Sequence, residues 1–118
     1  MNDLLVRNAV VALLELVHQG VFTLERVVEK HCHAPARMFQ VERCGRVREG
    51  YRADLVLVEL NAPWTVAPAN LLYKCGWSPF DGATFRARVK HTFVNGRHVY
   101  ADGRLDRTVR GERLRFDR

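Results

Sequence analysis

From Leu4 to His18 the polar and apolar positions recur with a helical period. At roughly 100° per residue, Arg7, Asn8, Glu15, His18 and Gln19 gather into a stripe about 120° wide. The remaining circumference carries Leu5, Val6, Ala9, Val10, Ala12, Leu13, Leu14, Leu16 and Val17, with Leu4 and Val11 intruding on the polar side. So wide an apolar arc predicts a helix covered from more than one direction. Gly20 supplies its stop. Thr23 is placed to cap a second helix, in which Leu24, Val27, Val28 and His31 fall at i, i+3, i+4 and i+7. His33-Ala34-Pro35 predicts a break and then a third short helix, with Met38 and Phe39 facing inward.

The pattern changes at Gly45. Gly45 and Gly50 bracket a short extended piece, and the apolar, β-branched run from Ala53 to Leu60 predicts a strand. Pro63 and Pro68 punctuate a loop, Asn70 to Lys74 reads as one short helical turn, and Cys75 to Gly82 reads as a turn-rich loop. Arg86 to Val94, Asn95-Gly96 and Arg97 to Tyr100 predict a hairpin on a type I′ turn. A two-residue loop sets Val94 opposite Arg97, Phe93 opposite His98 and His91 opposite Tyr100. Asp102-Gly103 marks a further turn, and Leu114-Arg115-Phe116 a last strand. The layout is α+β, helices first and a small sheet second.

Length bounds what such a chain can build. Its 118 residues, 47% of them apolar, suit one globular domain and exclude disorder. They exclude a complete (β/α)₈ barrel, which needs about 250 residues. No window of apolar residues is long enough for a membrane span, and Met1 to Leu5 lacks the basic start of a secretory signal. Cys32, Cys44 and Cys75 are odd in number and lack C-x-x-C spacing, so reduced thiols in a cytoplasmic protein are expected. The net charge of +6 raises a nucleic-acid partner. The basic residues are dispersed, however, and Arg107, Arg110, Arg113 and Arg115 alternate with acids; an ordinary solvated surface is the expectation.

Few residues invite chemistry. His31-Cys32-His33 is an H-x-H, but on a helix two residues apart means about 200° apart, so the imidazoles diverge. His31 reads as a partly buried core histidine. His91 and His98 share one face of the hairpin, which cross-strand pairing explains. Asp54 stands where a carboxylate caps a turn. Trp64 and Trp77 read as packing residues in loops, with a pocket or partner surface as the alternative. No carboxylate pair, Ser/His/Asp order or phosphate-binding glycine loop occurs.

The run from Gly45 through Gly50 to Ala53-Asp54-Leu55-Val56-Leu57 resembles the G-x-(apolar)-x-x-G-x-x-A-D-(apolar) signature of the metal-dependent amidohydrolase superfamily. His33 to Phe39 resembles the helix that precedes the superfamily's small β-sandwich, and Thr92 to Gly96 its T-x-V-x-G hairpin. Lys74 to Gly82 is similar to the K-C-G-W-S-P-F-E-G stretch of bacterial dihydroorotases, of the cyclic-amidohydrolase branch. The resemblance implies residues 1–42 equivalent to the end of a barrel region and 43–118 equivalent to the C-terminal part of a β-sandwich, an incomplete TIM-barrel enzyme. It implies, for a full-length parent, reversible zinc-dependent interconversion of N-carbamoyl-aspartate and dihydroorotate in pyrimidine biosynthesis. The family's metal ligands and catalytic aspartate lie upstream of the matched region. His33-Ala34-Pro35 is not its D-H-A-P-H site, because Cys32 precedes it and Ala36 follows it. No catalytic, cofactor-binding or metal residue is therefore assigned to this chain, which is expected to be inactive alone. The alternatives are a segment of a dihydropyrimidinase, hydantoinase or allantoinase, or a non-catalytic basic binding module. Self-association, or the missing barrel portion, is expected to cover Leu5, Val6, Ala9, Leu13 and Leu16.

Overall fold

The computed structural model describes the backbone of residues 3–71 and 74–117 and the side chains of 10–71 and 74–117. In chain order its elements are α1 (Asp3–His18), α2 (Leu24–Val28), a π-helical turn (Glu29–His33), α3 (Ala34–Met38), β1 (Leu55–Glu59), β2 (Trp64–Thr65), a 3₁₀ turn (Pro68–Asn70), β3 (Thr84–Phe85), β4 (Arg88–Val94), β5 (Arg97–Ala101) and β6 (Arg104–Leu105). Helices come first and strands follow, so the α+β layout holds. No helix among the described residues is long and apolar enough to cross a membrane. The contacts divide the chain into two compact units, each made of two segments: 1–22 with 58–89, and 23–57 with 90–118.

In the first unit α1 ends as its sequence demands. Gly20 adopts φ 77°, its N–H bonds to the carbonyl of Val17, and that of Val21 reaches back to Leu16. This is a Schellman motif, satisfying carbonyls the helix leaves open. Val11 and Leu14 are buried with Val66, Phe85, Ala87 and Val89. Val11, assigned to the polar side by the helical period, is only 1% exposed. The polar stripe is in fact bonded to protein. Glu15 receives the Arg86 backbone N–H at 3.1 Å and its guanidinium Nε at 3.0 Å, and His18 Nε2 donates to the Leu60 carbonyl at 2.7 Å. Ala12, Leu13, Leu16 and Val17 are half-buried; Leu5, Val6 and Ala9 lie outside the residues whose side chains are described.

Strands β2 and β3 pair antiparallel, Trp64 opposite Phe85 and Thr65 opposite Thr84. Trp64 thus belongs to a strand and not a loop. Its ring packs on Phe85, its Nε1–H donates to the Ala87 carbonyl at 2.8 Å, and Phe80 meets Phe85 edge-on. The packing role expected of Trp64 holds. Trp77, 65% exposed, does not pack. The turn expected at 70–74 falls instead at Pro68–Asn70; residues 72 and 73 lie outside the described residues.

The second unit opens with Thr23, whose Oγ1 accepts the Arg26 N–H at 3.1 Å as the predicted cap. The predicted break at 33–35 is absent. Pro35 has no N–H, and in a regular helix its ring would meet the carbonyl of His31. The helix widens rather than ends: Ala34 N–H reaches back five residues to Glu29, and α3 continues. Phase shifts with that extra residue. Ala36 becomes the inward position, against Gly45, which turns Met38 two residues on to the outer side. Phe39 stands at the C-cap, beyond the helical period. Both are exposed, contrary to the inward placement expected of them.

The larger sheet runs β1-β4-β5-β6. β1 is shorter than the predicted 53–60 run. Asn95 and Gly96 take φ of 50° and 79°, as a type I′ turn requires. Val94 pairs with Arg97 and Phe93 with His98, as expected. The register then shifts: Thr92 faces Tyr100 and His91 faces Ala101, leaving Val99 as an extra residue in β5. His91 is therefore not opposite Tyr100. Asp102-Gly103 makes the predicted turn and feeds β6. The last-strand expectation at 114–116 reduces to one bridge, Val41 with Phe116.

Candidate functional site

Two of the quoted signature residues, Ala53 and Asp54, meet the Asn95-Gly96 turn. Asp54 Oδ1 accepts the Asn95 N–H at 2.7 Å, and the Ala53 carbonyl accepts that of Gly96 at 3.0 Å. The Ala53-Asp54 pair therefore holds the tip of the β4–β5 hairpin, in the capping role expected of Asp54. Gly45 lies against the helix: a Cβ there would stand 2.6 Å from both the Ala36 Cβ and the Cys32 carbonyl oxygen. Its φ of 82° and this close approach each demand glycine. Gly50, at φ 80°, has open space where a Cβ would point.

The histidines separate as expected on a helix. His33 Nδ1 donates to the Gly45 carbonyl at 2.7 Å, tying helix to loop. His31 is half-buried. On the hairpin, His91 Nδ1 and His98 Nε2 lie at hydrogen-bond distance, 2.9 Å, while His98 stacks on Phe93. Cys32 and Cys44 are half-buried, and burial pushes both thiols up; Asp54 adds to the rise at Cys44 and Arg52 opposes it. Among the described residues, no three His, Cys, Asp or Glu side chains come together to hold a metal. A zinc ion of the kind the resemblance implies finds no donor set there.

In the first unit, the Ser78-Pro79-Phe80-Asp81 part of the 74–82 loop is a tight turn. Ser78 is buried, its Oγ accepts the Phe80 N–H and its carbonyl accepts that of Asp81. The serine is engaged in building the loop.

A concavity of about 1020 Å³ lies wholly in the second unit. Arg43, Arg52, Arg113 and Arg115 line it, with Glu42 and Glu112. The fold sews these segments together through main-chain hydrogen bonds: Arg52 N–H to the Arg43 carbonyl, and Glu42 N–H to that of Arg115. The Arg52 guanidinium also donates to the Arg113 carbonyl at 3.1 Å. Sequence reasoning passed over this cluster. Its members lie up to seven decades of numbering apart, from 43 to 115, and nothing in either stretch signals the other.

Comparison with known proteins places these features in a family. Residues 1–99 match the model of the amidohydrolase family. The dihydroorotase of Pyrococcus furiosus is 33% identical over 102 residues, which are 86% of this chain and 24% of that protein. An allantoinase of Desulfitobacterium hafniense is 31% identical over 103 residues, 87% of this chain and 23% of that protein. Among solved structures, the L-hydantoinase (dihydropyrimidinase) of Arthrobacter aurescens superposes with a TM-score of 0.70 at 31% identity, over 78% of this chain and 21% of that one. The chain spans about a quarter of the length of the curated relatives it matches.

Proposed function

The chain belongs to the amidohydrolase family, and on that premise we propose that it is the C-terminal segment of a dihydroorotase-like enzyme acting on cyclic amides. One observation carries this reading: four motifs stand in family order, and the 74–82 stretch is similar to that of dihydroorotases. Identity of 33% to 39% with several dihydroorotases supports it. The parent reaction is the reversible, zinc-dependent interconversion of N-carbamoyl-aspartate and dihydroorotate, in the cytoplasm, as a step of pyrimidine biosynthesis.

This segment's contribution is structural. Its hairpin, held at the tip by Asp54, and its Gly45-packed helix form part of a β-sandwich and the barrel-side helices before it. Residues outside this chain hold the metal and do the chemistry. A segment of an allantoinase or hydantoinase is the second reading, favoured by the similarity to the enzymes of Desulfitobacterium and Arthrobacter; the 74–82 loop speaks for dihydroorotase.

Two measurements test the proposal. The 118-residue chain, supplied with zinc, is expected to hydrolyse dihydroorotate, allantoin and hydantoin no faster than buffer; turnover above that rate refutes the structural role. A chimera in which this chain replaces the matched quarter of the Pyrococcus furiosus enzyme is expected to retain dihydroorotate hydrolysis. A folded but inactive chimera would count against the dihydroorotase assignment.

A further inference from the structure

We propose that the arginine-lined concavity of the second unit binds a small multivalent oxyanion. The fold draws four arginines and two glutamates to one surface, leaving a surplus of two positive charges there. None of these arginines is a partner in the Glu15–Arg86, Glu29–Arg37 or Lys90–Asp102 ion pairs of the described residues, and Arg52 directs one N–H to the Arg113 carbonyl. A planar guanidinium offers paired N–H donors that match the oxygen spacing of phosphate and carboxylate. A surplus of two charges is met by an anion that carries at least two. At about 1020 Å³ the space exceeds what a lone orthophosphate fills, and small-molecule sites run to roughly 300–1,000 Å³.

The walls are built rather than loosely apposed. Main-chain hydrogen bonds fix 42–43 against 115 and 52, so the arginines are held near one another before any ligand arrives. Such preorganisation lowers the ordering cost of binding. Tyr51 adds an aromatic wall, with the Arg48 guanidinium 5.5 Å from its ring centre. Phosphate and carboxylate share this recognition chemistry, and the probes below separate them. Arg52 and Tyr51 fall within the quoted Gly45–Leu57 run, whereas Arg43, Arg113 and Arg115 lie outside every quoted motif, and anion binding does not depend on the hydrolase reading.

The test is calorimetric titration of the 118-residue chain with inorganic pyrophosphate and, separately, with citrate. Saturable binding of either is expected; pyrophosphate alone assigns a phosphate-bearing ligand, citrate alone a carboxylate-bearing one. Arg43→Gln combined with Arg115→Gln should weaken binding about tenfold or more, since two charge-assisted contacts are lost. Arg107→Gln with Arg110→Gln removes the same charge outside the cavity and should leave affinity unchanged. Glu112→Gln should tighten binding, a gain that misfolding cannot produce. Absence of saturable heat with both probes overturns the proposal, as does equal weakening by the two double variants or no tightening in Glu112→Gln.

Discussion

Replacing Gly45 by alanine tests a close approach of loop to helix in the second unit. The added Cβ would stand 2.6 Å from the Ala36 Cβ and from the Cys32 carbonyl oxygen, about 1 Å inside ordinary contact. The residue also sits at φ 82°, which costs a non-glycine residue about 1–2 kcal/mol. Overpacking against helix backbone adds about 1–3 kcal/mol. The sum, roughly 2–5 kcal/mol, is a large part of the 5–15 kcal/mol that typically holds a domain folded. Gly50→Ala is the matched control, because φ is 80° there and nothing lies within 4 Å of the added atom. Both variants gain the same reduction in unfolded-chain entropy, so their difference isolates the steric part. Thermal and urea unfolding should place Gly45→Ala about 1–3 kcal/mol below Gly50→Ala, a gap of several degrees in midpoint. Equal destabilisation of the two would refute the contact as the reason for glycine at 45.

Asp54→Ala should lower stability by about 1 kcal/mol through loss of the Asn95 cap, and amide exchange at Asn95 should quicken; unchanged exchange would remove the capping role. Hydrogen bonds from the Arg86 side chain and backbone hold the Glu15 carboxyl below its usual range. A depressed folded pKa contributes stability that is present above the unfolded value of about 4.5 and is lost as pH falls through the folded value. Carboxyl NMR titration should thus place the Glu15 midpoint below 4.5, and Arg86→Gln should return it upward. With Cys32 and Cys44 pushed up by burial and Cys75 exposed, alkylation at neutral pH followed by peptide mass mapping should modify Cys75 first; equal rates would contradict that order.

The sequence showed most where chemistry is local. Asn95-Gly96, Thr23 and Gly20 each act within a few residues or through a fixed backbone need, and each stands where the pattern put it; Asp54 caps a turn as its residue type suggests, but that turn lies 41 residues away. Errors arose where one residue changed the phase of a period. The π turn before Pro35 rotated Met38 outward, and the bulge at Val99 moved Tyr100 from the face of His91 to that of Thr92. The partners of Glu15 and His18 in the polar stripe, Arg86 and Leu60, lie 71 and 42 residues away, beyond the reach of a helical period. Distance also concealed the arginine cavity. Dispersion along the chain made the +6 charge look like ordinary surface, whereas the fold collects part of it at one place.

Each compact unit is assembled from two stretches of chain, 1–22 with 58–89 and 23–57 with 90–118. This interleaving dictates an order of completion on the ribosome. When α1 emerges, its buried Val11 and Leu14 have no Val66, Phe85, Ala87 or Val89 to meet until residue 89 is clear. Meanwhile Ala53-Asp54 waits for the Asn95-Gly96 turn it holds. The first unit thus becomes complete before the second, and neither closes before residue 89 is clear. A nascent chain of this kind exposes an apolar helix for longer than one built from consecutive domains, and leans accordingly on whatever shields it at the exit tunnel.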